Sequence, residues 1–183
     1  MSININKEET LLEYWDILDR QRNFTGKLHK RGEPFPENMY HTVVCAWIFD
    51  SNGRFLIQRR AFECSWLPGI WGAPGGSALS GEDSLTAVIR EVKEEAGILL
   101  RPAKAELFCS YRQHRAFYDH WLFSQDFNLS EVILQEGETV DAKAATWDEI
   151  DEMKKRGQFL NKQMMNTPFD AFDLLKEQFS KQG

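Results

Sequence analysis

The chain has 183 residues, of which 42% are hydrophobic and 27% are charged. This length fits one domain, or one domain with an added terminal piece, and the composition excludes a disordered or collagen-like chain. The formal net charge of -6 excludes a broad basic surface for duplex nucleic acid. An anionic ligand would therefore need a local positive charge, such as a bound cation.

The cysteine spacing and the first residues of the chain indicate the cellular compartment in which the protein is expected. Cys45, Cys64 and Cys109 are odd in number and have no CxxC spacing, which argues against a disulfide framework or a zinc knuckle and favours a reducing environment. The first ten residues carry no basic-then-apolar signal, and no apolar run approaches the roughly 18 residues of a membrane span. We therefore expect a cytoplasmic protein without membrane association, and the oligomeric state stays open, a homodimer included.

A pair of prolines, Pro34 and Pro36, marks the predicted boundary within the chain. We expect residues 1–36 to form an N-terminal segment that packs on the main domain. The main domain would comprise residues 37–183 and end in helices.

Strands and a long loop open the main domain. Residues 40–50 and 54–59 are rich in β-branched and aromatic residues, and the Asn52-Gly53 pair between them is typical of a hairpin turn. Residues 61–76 contain two prolines and several glycines, which predicts a loop of a length that is usually functional. Further strands are predicted over 105–111, 115–123, 131–135 and 143–147, and helices over 147–156 and 168–180.

The helix after the long loop has the clearest signals. Ser80 and Asp83 approximate a capping box at its start, and Gly97 is a typical helix stop. Apolar residues recur between them every three or four positions, as on a buried helix face. These residues are Leu85, Val88, Val92 and Ala96.

Three glutamates cluster on this helix. At 100° per residue Glu91, Glu94 and Glu95 fall within one arc of about 100°, beside the apolar stripe. Like charges at this spacing cost a helix a few tenths of a kcal/mol, and a divalent cation would offset the repulsion. Oxygen-rich sites suit Mg²⁺ or Mn²⁺, and Arg90 could hold one carboxylate from the side. The alternative is a solvated acidic face.

The spacing around the helix matches a known pattern. The stretch GSALSGEDSLTAVIREVKEEAGI fits G-x5-E-x7-R-E-U-x-E-E-x-G-U, where U is a bulky apolar residue. This is the Nudix box, and the chain resembles the Nudix (MutT-like) hydrolases. The resemblance implies an α/β protein, an α/β/α sandwich with a mixed sheet. It also implies Mg²⁺-dependent hydrolysis of a nucleoside diphosphate linked to another moiety, X.

The resemblance also implies roles for individual residues. It assigns the metal site to carboxylates and one backbone group: Glu82, Glu91, Glu94, Glu95 and Gly75. One of the helix glutamates is a candidate base, Arg90 orients a glutamate, and the backbone of Gly76 lies beside the metal and the substrate.

Outside the box the signals are weaker. Glu138 follows a predicted strand, where family members often place an extra acid that serves as metal ligand or base; the alternative is a solvated loop. Arg59 and Arg60 could contact phosphate or lie on the plain surface. Trp71 could stack on a base or pack over the sheet.

A subset of the family raises a rival chemistry. Residues 13–26, Arg31-Gly32-Glu33 and His41 resemble Nudix proteins similar to isopentenyl-diphosphate isomerase, and with the box the match covers about residues 13–150. The isomerase carries a catalytic Cys and a ligand His just before its helix, whereas residues 71–76 read WGAPGG. The intact box therefore favours hydrolysis, with an isomerase-like enzyme or a non-catalytic nucleotide-binding domain as alternatives. The substrate stays open.

Overall fold

The computed structural model describes residues 13–181. Their regular elements follow in chain order: β1 (Tyr14–Leu18), β2 (Phe24–Lys30), β3 (His41–Phe49), β4 (Phe55–Arg60), β5 (Trp71–Gly72), β6 (Gly75–Ser77), α1 (Ser84–Ala96), β7 (Ala105–Gln113), β8 (Ala116–Ser124), β9 (Thr139–Ala145), α2 (Trp147–Lys155) and α3 (Ala171–Ser180).

A mixed sheet forms the centre of the fold. Its strand order is β5-β4-β3-β8-β7, with β6 paired to β3 and β9 paired to β4. β3 and β8 run parallel along their whole length, from the pair His41 and Ala116 to the pair Phe49 and Ser124, and the other pairings are antiparallel. The predicted mixed sheet is confirmed.

Helices cover both faces of this sheet. Side chains alternate along β3, so Val44 and Ile48 pack against α1 while Trp47 faces α2 and α3. The α1 face is completed by the apolar stripe that the sequence predicted, including Val88 and Val92. On the opposite face, α2 and α3 contribute Ile150, Met153, Phe172 and Leu175. The structure thus confirms the α/β/α sandwich.

The ends of α1 are capped as predicted, with one exception. The Asp83 side chain accepts a hydrogen bond from the Thr86 N–H at 2.7 Å, and Gly97 ends the helix at φ 70°, in the left-handed region. The predicted capping role of Ser80 is wrong. Its hydroxyl donates instead to Asp16 at 2.8 Å.

One predicted strand, 131–135, does not form. A short 3₁₀ turn, Leu129–Glu131, overlaps the start of the predicted strand. The backbone N–H groups of Ile133 and Gln135 donate to the carbonyls of Ala96 and Glu95 at the end of α1, at 3.0 and 3.3 Å. These helix carbonyls have no partner within the helix, so the segment caps α1 instead of joining the sheet. β9 begins at residue 139, four residues before the predicted 143.

The N-terminal segment contains a hairpin that the sequence analysis missed. β1 and β2 pair antiparallel, and Leu18 forms an isolated bridge with Tyr40. Residues 1–12 of the predicted segment, and the last two residues of the predicted main domain, lie outside the described residues. Within residues 13–181 no helix combines the length and the apolar character needed to cross a bilayer.

Candidate active site

Glu95 is a buried carboxylate that is held at a fixed place. Its side chain is 4% exposed, and its Oε2 accepts hydrogen bonds from the Gln58 side-chain amide at 2.5 Å and from the Gly75 N–H at 3.0 Å. Burial and the charge of Glu91 raise the pKa of Glu95 to about 8, despite these hydrogen bonds. The site therefore keeps an acid in a place where negative charge is costly.

Glu91 lies against the loop that precedes α1. A Cβ at Gly76 would lie 2.5 Å from the Glu91 carboxyl atoms, and one at Gly75 would lie 2.1 Å from the Val44 carbonyl oxygen. Residue 75 thus requires glycine, because the clash there is with backbone, whereas a side chain at residue 76 would displace the Glu91 carboxylate. Burial raises the pKa of Glu91 to about 7, although the Arg90 charge opposes the shift.

Arg90 connects this helix to the same loop. Its Nε and one terminal nitrogen donate to the two oxygens of Glu82, at 2.7 and 3.0 Å, and the latter nitrogen also donates to the Ser77 carbonyl at 3.0 Å. The other terminal nitrogen donates to Glu94 at 2.8 Å, and the guanidinium forms a 3.1 Å ion pair with Glu91. Burial disfavours the charged guanidinium, but the bonds to Glu82 and the three carboxylate charges outweigh it and raise the pKa of Arg90.

The predicted metal-site residues therefore differ in their surroundings. Glu91 and Glu95 are enclosed, the Glu94 side chain is 48% exposed, and Glu82 is bound by Arg90. Among residues 13–181, no three acidic, His or Cys side chains converge closely enough to form a ready-made metal-binding group.

Glu138 lies near this pair, at the end of the loop that leads into β9. Its negative charge contributes to the raised pKa of both Glu91 and Glu95. Its backbone carbonyl accepts a hydrogen bond from the Ala61 N–H at 2.8 Å, which fixes the backbone at this point.

A cavity of about 340 Å³ adjoins residues that contact these carboxylates. Gln58, Gly75 and Gly76, the residues that surround Glu95 and Glu91, form part of its wall. The rest of the wall includes several aromatic residues, among them Trp47, Trp66, Trp71, Tyr111, Phe159 and Phe172.

His120 contributes a neutral ring to the wall of this cavity. The Trp47 indole donates to His120 Nδ1 at 3.1 Å, and His120 Nε2 lies 3.3 Å from the Tyr111 hydroxyl. Nδ1 must therefore be the unprotonated nitrogen. Burial lowers the pKa of His120 to about 4, so the ring is neutral at physiological pH.

The predicted substrate-binding residues fall into two groups. Arg60, Trp71 and Gly76 line the cavity, and the Arg60 guanidinium lies over the Trp66 ring, 5.2 Å from its centroid. Arg59 donates to the Gly69 carbonyl at 2.9 Å and stacks over the Phe62 ring.

The sequence analysis missed Gln58. Its only signal is a polar residue within the buried run of β4, and the structure shows it as the partner of Glu95. Its side-chain oxygen is buried without a hydrogen-bond partner among the described residues.

Comparisons with known proteins identify the family of this chain. The family model described as NUDIX domain matches residues 39–167. An uncharacterized Nudix hydrolase of Listeria monocytogenes is 36% identical over 160 residues, which are 87% of this chain and 95% of the relative. The chain therefore belongs to the NUDIX domain family and is a Nudix hydrolase, as the box predicted.

Two further likenesses bear on fold and subset. The crystal structure of DR0079 from Deinococcus radiodurans has a TM-score of 0.68 at 19% identity and covers 90% of this chain and 98% of its own, which shows a shared fold. An isopentenyl-diphosphate Delta-isomerase of Shigella flexneri is 31% identical over 94 residues, 51% of this chain and 52% of the isomerase. The similarity to the isomerase subset is thus confirmed, but it is partial.

Proposed function

We propose that this protein is a Mg²⁺- or Mn²⁺-dependent hydrolase that cleaves the diphosphate linkage of a nucleoside diphosphate joined to another moiety. The observation that carries the proposal is the enclosed pair of Glu91 and Glu95, whose neighbours Gln58, Gly75 and Gly76 line the cavity. Burial raises the pKa of both carboxyl groups, and the charge of Glu91 raises the pKa of Glu95 further, so a cation next to the pair would stabilise its charged form.

The residues present fit such a cation. Glu91, Glu94 and Glu95, with the backbone at Gly75, supply the oxygen donors that Mg²⁺ and Mn²⁺ prefer. Divalent metals are the general cofactors of this family, and when bound they neutralise phosphate charge and lower the pKa of the attacking water. Glu82 would act as an auxiliary acid through Arg90, and Glu138 is the further candidate for a ligand or base.

The protein's own residues would position these acids. Gln58 and the Gly75 N–H hold Glu95, while Arg90 holds Glu82 and Glu94 with its planar fork. Such fixed geometry supports catalysis because little reorganisation is needed during the reaction.

The aromatic cavity would receive the moiety attached to the diphosphate. Trp71 offers a ring face for a base, and Arg60 and Gly76 lie at the same wall. We propose that Arg59 shapes the 61–70 loop, through its bond to Gly69, more than it contacts phosphate. The free cysteines Cys45, Cys64 and Cys109 support the cytoplasm as the place of action.

A screen of diphosphate compounds tests the proposal. Nucleoside diphosphates, dinucleotides, nucleotide sugars and cofactor diphosphates would be incubated with the protein and Mg²⁺, and released phosphate or monophosphate measured. We expect turnover of at least one class and its loss in chelator. Undiminished turnover in chelator would contradict the metal-dependent mechanism.

The partial match to the isomerase supports a second candidate, isomerisation of an isoprenoid diphosphate. Cys45 lines the cavity, but burial raises the pKa of its thiol to about 12, which keeps it protonated and unreactive. An isomerisation assay with isopentenyl diphosphate, together with a hydrolysis assay of the Cys45→Ser variant, separates the two candidate functions. We expect the Cys45→Ser variant to retain hydrolysis. Loss of turnover in this variant would support the isomerase alternative.

A further inference from the structure

We propose that Arg31, on the N-terminal hairpin, is a substrate-binding residue that donates hydrogen bonds to the diphosphate of the substrate. This inference rests on the proposed function and adds a residue to its site from outside the Nudix box. It gives the hairpin, which lies before the matched family region, a part in binding.

The hairpin is docked on the loop that leads into α1. Asp16 of β1 accepts hydrogen bonds from the Ser80 hydroxyl at 2.8 Å and the Gly81 N–H at 3.1 Å. The Ser80 N–H donates to the Tyr14 carbonyl at 2.7 Å. The next residue of that loop is Glu82, the partner of Arg90. The loop before α1 therefore contacts both the hairpin and the carboxylate site.

A second anchor holds the far side of the hairpin. Arg22, in the turn between β1 and β2, donates from both terminal nitrogens to Asp119, one of these bonds being 2.9 Å long. Asp119 is 1% exposed, so this pair ties the turn to the central sheet.

Arg31 is at the end of the hairpin that meets the α1 loop. β1 and β2 pair through Tyr14 and Lys30 at this end, and Arg31 follows directly. Its backbone N–H donates to the Glu13 carbonyl at 2.9 Å, and its guanidinium donates to the Glu13 carboxylate at 2.7 Å. The side chain is 55% exposed and is thus open to a ligand.

The acidic groups around Arg31 favour its charged form. The hydrogen bond to Glu13 raises the pKa of Arg31 against the opposing effect of burial, and the charges of Glu138 and Glu91 raise it further. The placement of Arg31 itself rests on the hydrogen bonds that dock this end of the hairpin on Ser80 and Gly81.

A diphosphate at this place needs a cation that is free to bind it. Arg90 already donates to Glu82, Glu94 and Ser77. Arg31 has one side-chain hydrogen-bond partner in the described structure, Glu13, and a guanidinium carries five N–H donors. Its planar fork matches two phosphate oxygens at once.

Binding of methylenediphosphonate tests this role, because the P–C–P bridge cannot be hydrolysed. The compound would be titrated calorimetrically into the whole protein in excess Mg²⁺. We expect Arg31→Gln to weaken binding by about tenfold to a hundredfold, the size of one lost charge-assisted contact. Arg31→Lys should retain part of the affinity.

Two control variants separate binding from structure. Glu13→Gln removes the partner of Arg31 but leaves the guanidinium, so affinity should stay within about twofold, below the value of one such contact. Lys27→Gln removes another positive charge from the same exposed hairpin and should have an equally small effect. The melting temperatures of all variants would be compared with that of the unsubstituted protein.

The outcomes are distinct from those of the substrate screen. Unchanged affinity in Arg31→Gln, an equal loss in Glu13→Gln, or no binding by the unsubstituted protein would each overturn the role of Arg31. Arg31-dependent binding together with no turnover of any diphosphate would instead contradict the proposed hydrolase while supporting the role of Arg31.

Discussion

The backbone of Gly76 passes so close to the carboxylate of Glu91 that a Cβ on residue 76 would lie 2.5 Å from the carboxyl carbon and both oxygens. No residue other than glycine fits this place unless the carboxylate moves. The position of an acid on α1 is thus set by the absence of a side chain on β6.

Gly76→Ala should therefore separate activity from stability. The added methyl group meets the far end of a flexible side chain, so the fold can absorb it, but the carboxylate is displaced. We expect kcat/KM to fall by about a hundredfold, as misplacements of about 1 Å can cause, with little change in melting temperature.

Gly72→Ala, in the neighbouring short strand β5, is the matched control. A Cβ there would meet Leu160 at 3.8 Å, an ordinary contact. Kinetics of the two variants under identical Mg²⁺ concentrations check the prediction. Equal activity of both would show that the Glu91 carboxylate needs no fixed position.

Arg90→Lys should reduce activity although it keeps the charge. A lysine ammonium cannot replace the pair of bonds to Glu82 together with the bond to Glu94. We expect kcat/KM to fall about tenfold to a hundredfold, with little change in melting temperature.

Arg54→Lys offers the comparison for Arg90. Arg54 pairs with Asp50 at 2.7 Å on the opposite side of a turn, with a 45% exposed side chain, and should tolerate the same change. Unchanged kinetics in Arg90→Lys would make Arg90 a surface residue, and a large fall in its melting temperature would make it a residue of the fold.

Local chemistry explains what the sequence could predict. The helix α1, its Asp83 and Gly97 ends and the apolar stripe depend on neighbouring residues, and the box spacing pointed to the same glutamates. The central strands β3 and β8 are long apolar runs with few alternatives, which is why their prediction agrees with the structure.

The errors occurred where distant contacts decide the structure. Residues 131–135 look like a strand, but their N–H groups are bound by the end of α1, a partner more than thirty residues away in sequence. The β1 and β2 hairpin lacks a regular alternation of apolar and polar residues, and in β2 the apolar Phe24 and Leu28 are exposed while His29 is buried. The role of Gln58 likewise depends on Glu95, which reaches it from another element.

Glu95→Gln should lower kcat by about a hundredfold or more, since the reaction loses a metal ligand or a base. Stability should respond differently. The pKa of Glu95 is raised to about 8 because its charged form is disfavoured by burial, so a neutral amide of the same shape costs the metal-free protein little. We expect an unchanged or slightly higher melting temperature in chelator.

Lys93→Gln is the control on the same helix. Lys93 is exposed, so this substitution should leave kcat unchanged. Melting curves with and without Mg²⁺ complete the test. Wild-type kcat in Glu95→Gln would remove this residue from the site.

His120 should make stability depend on pH. Burial lowers its pKa to about 4 from an ordinary 6.5, so between these values the unfolded chain binds a proton that the folded protein rejects. The stability that neutral His120 contributes is therefore fully present above pH 6.5 and is lost as the pH falls towards 4. The rate of loss is about 1.4 kcal/mol for each pH unit.

Glu91 and Glu95 have the opposite dependence, because their raised pKa values mean that the folded protein binds protons more tightly than the unfolded chain. The unsubstituted protein alone therefore cannot reveal the His120 effect. His120→Asn removes the titrating group, and the difference in unfolding free energy between the two proteins isolates it. Denaturant unfolding at pH 7.0, 6.0 and 5.0 should show this difference shrinking by about 1.4 kcal/mol per unit below pH 6.5. A constant difference would mean that His120 accepts its proton in the folded protein, which requires the Trp47 hydrogen bond to Nδ1 to break at no cost.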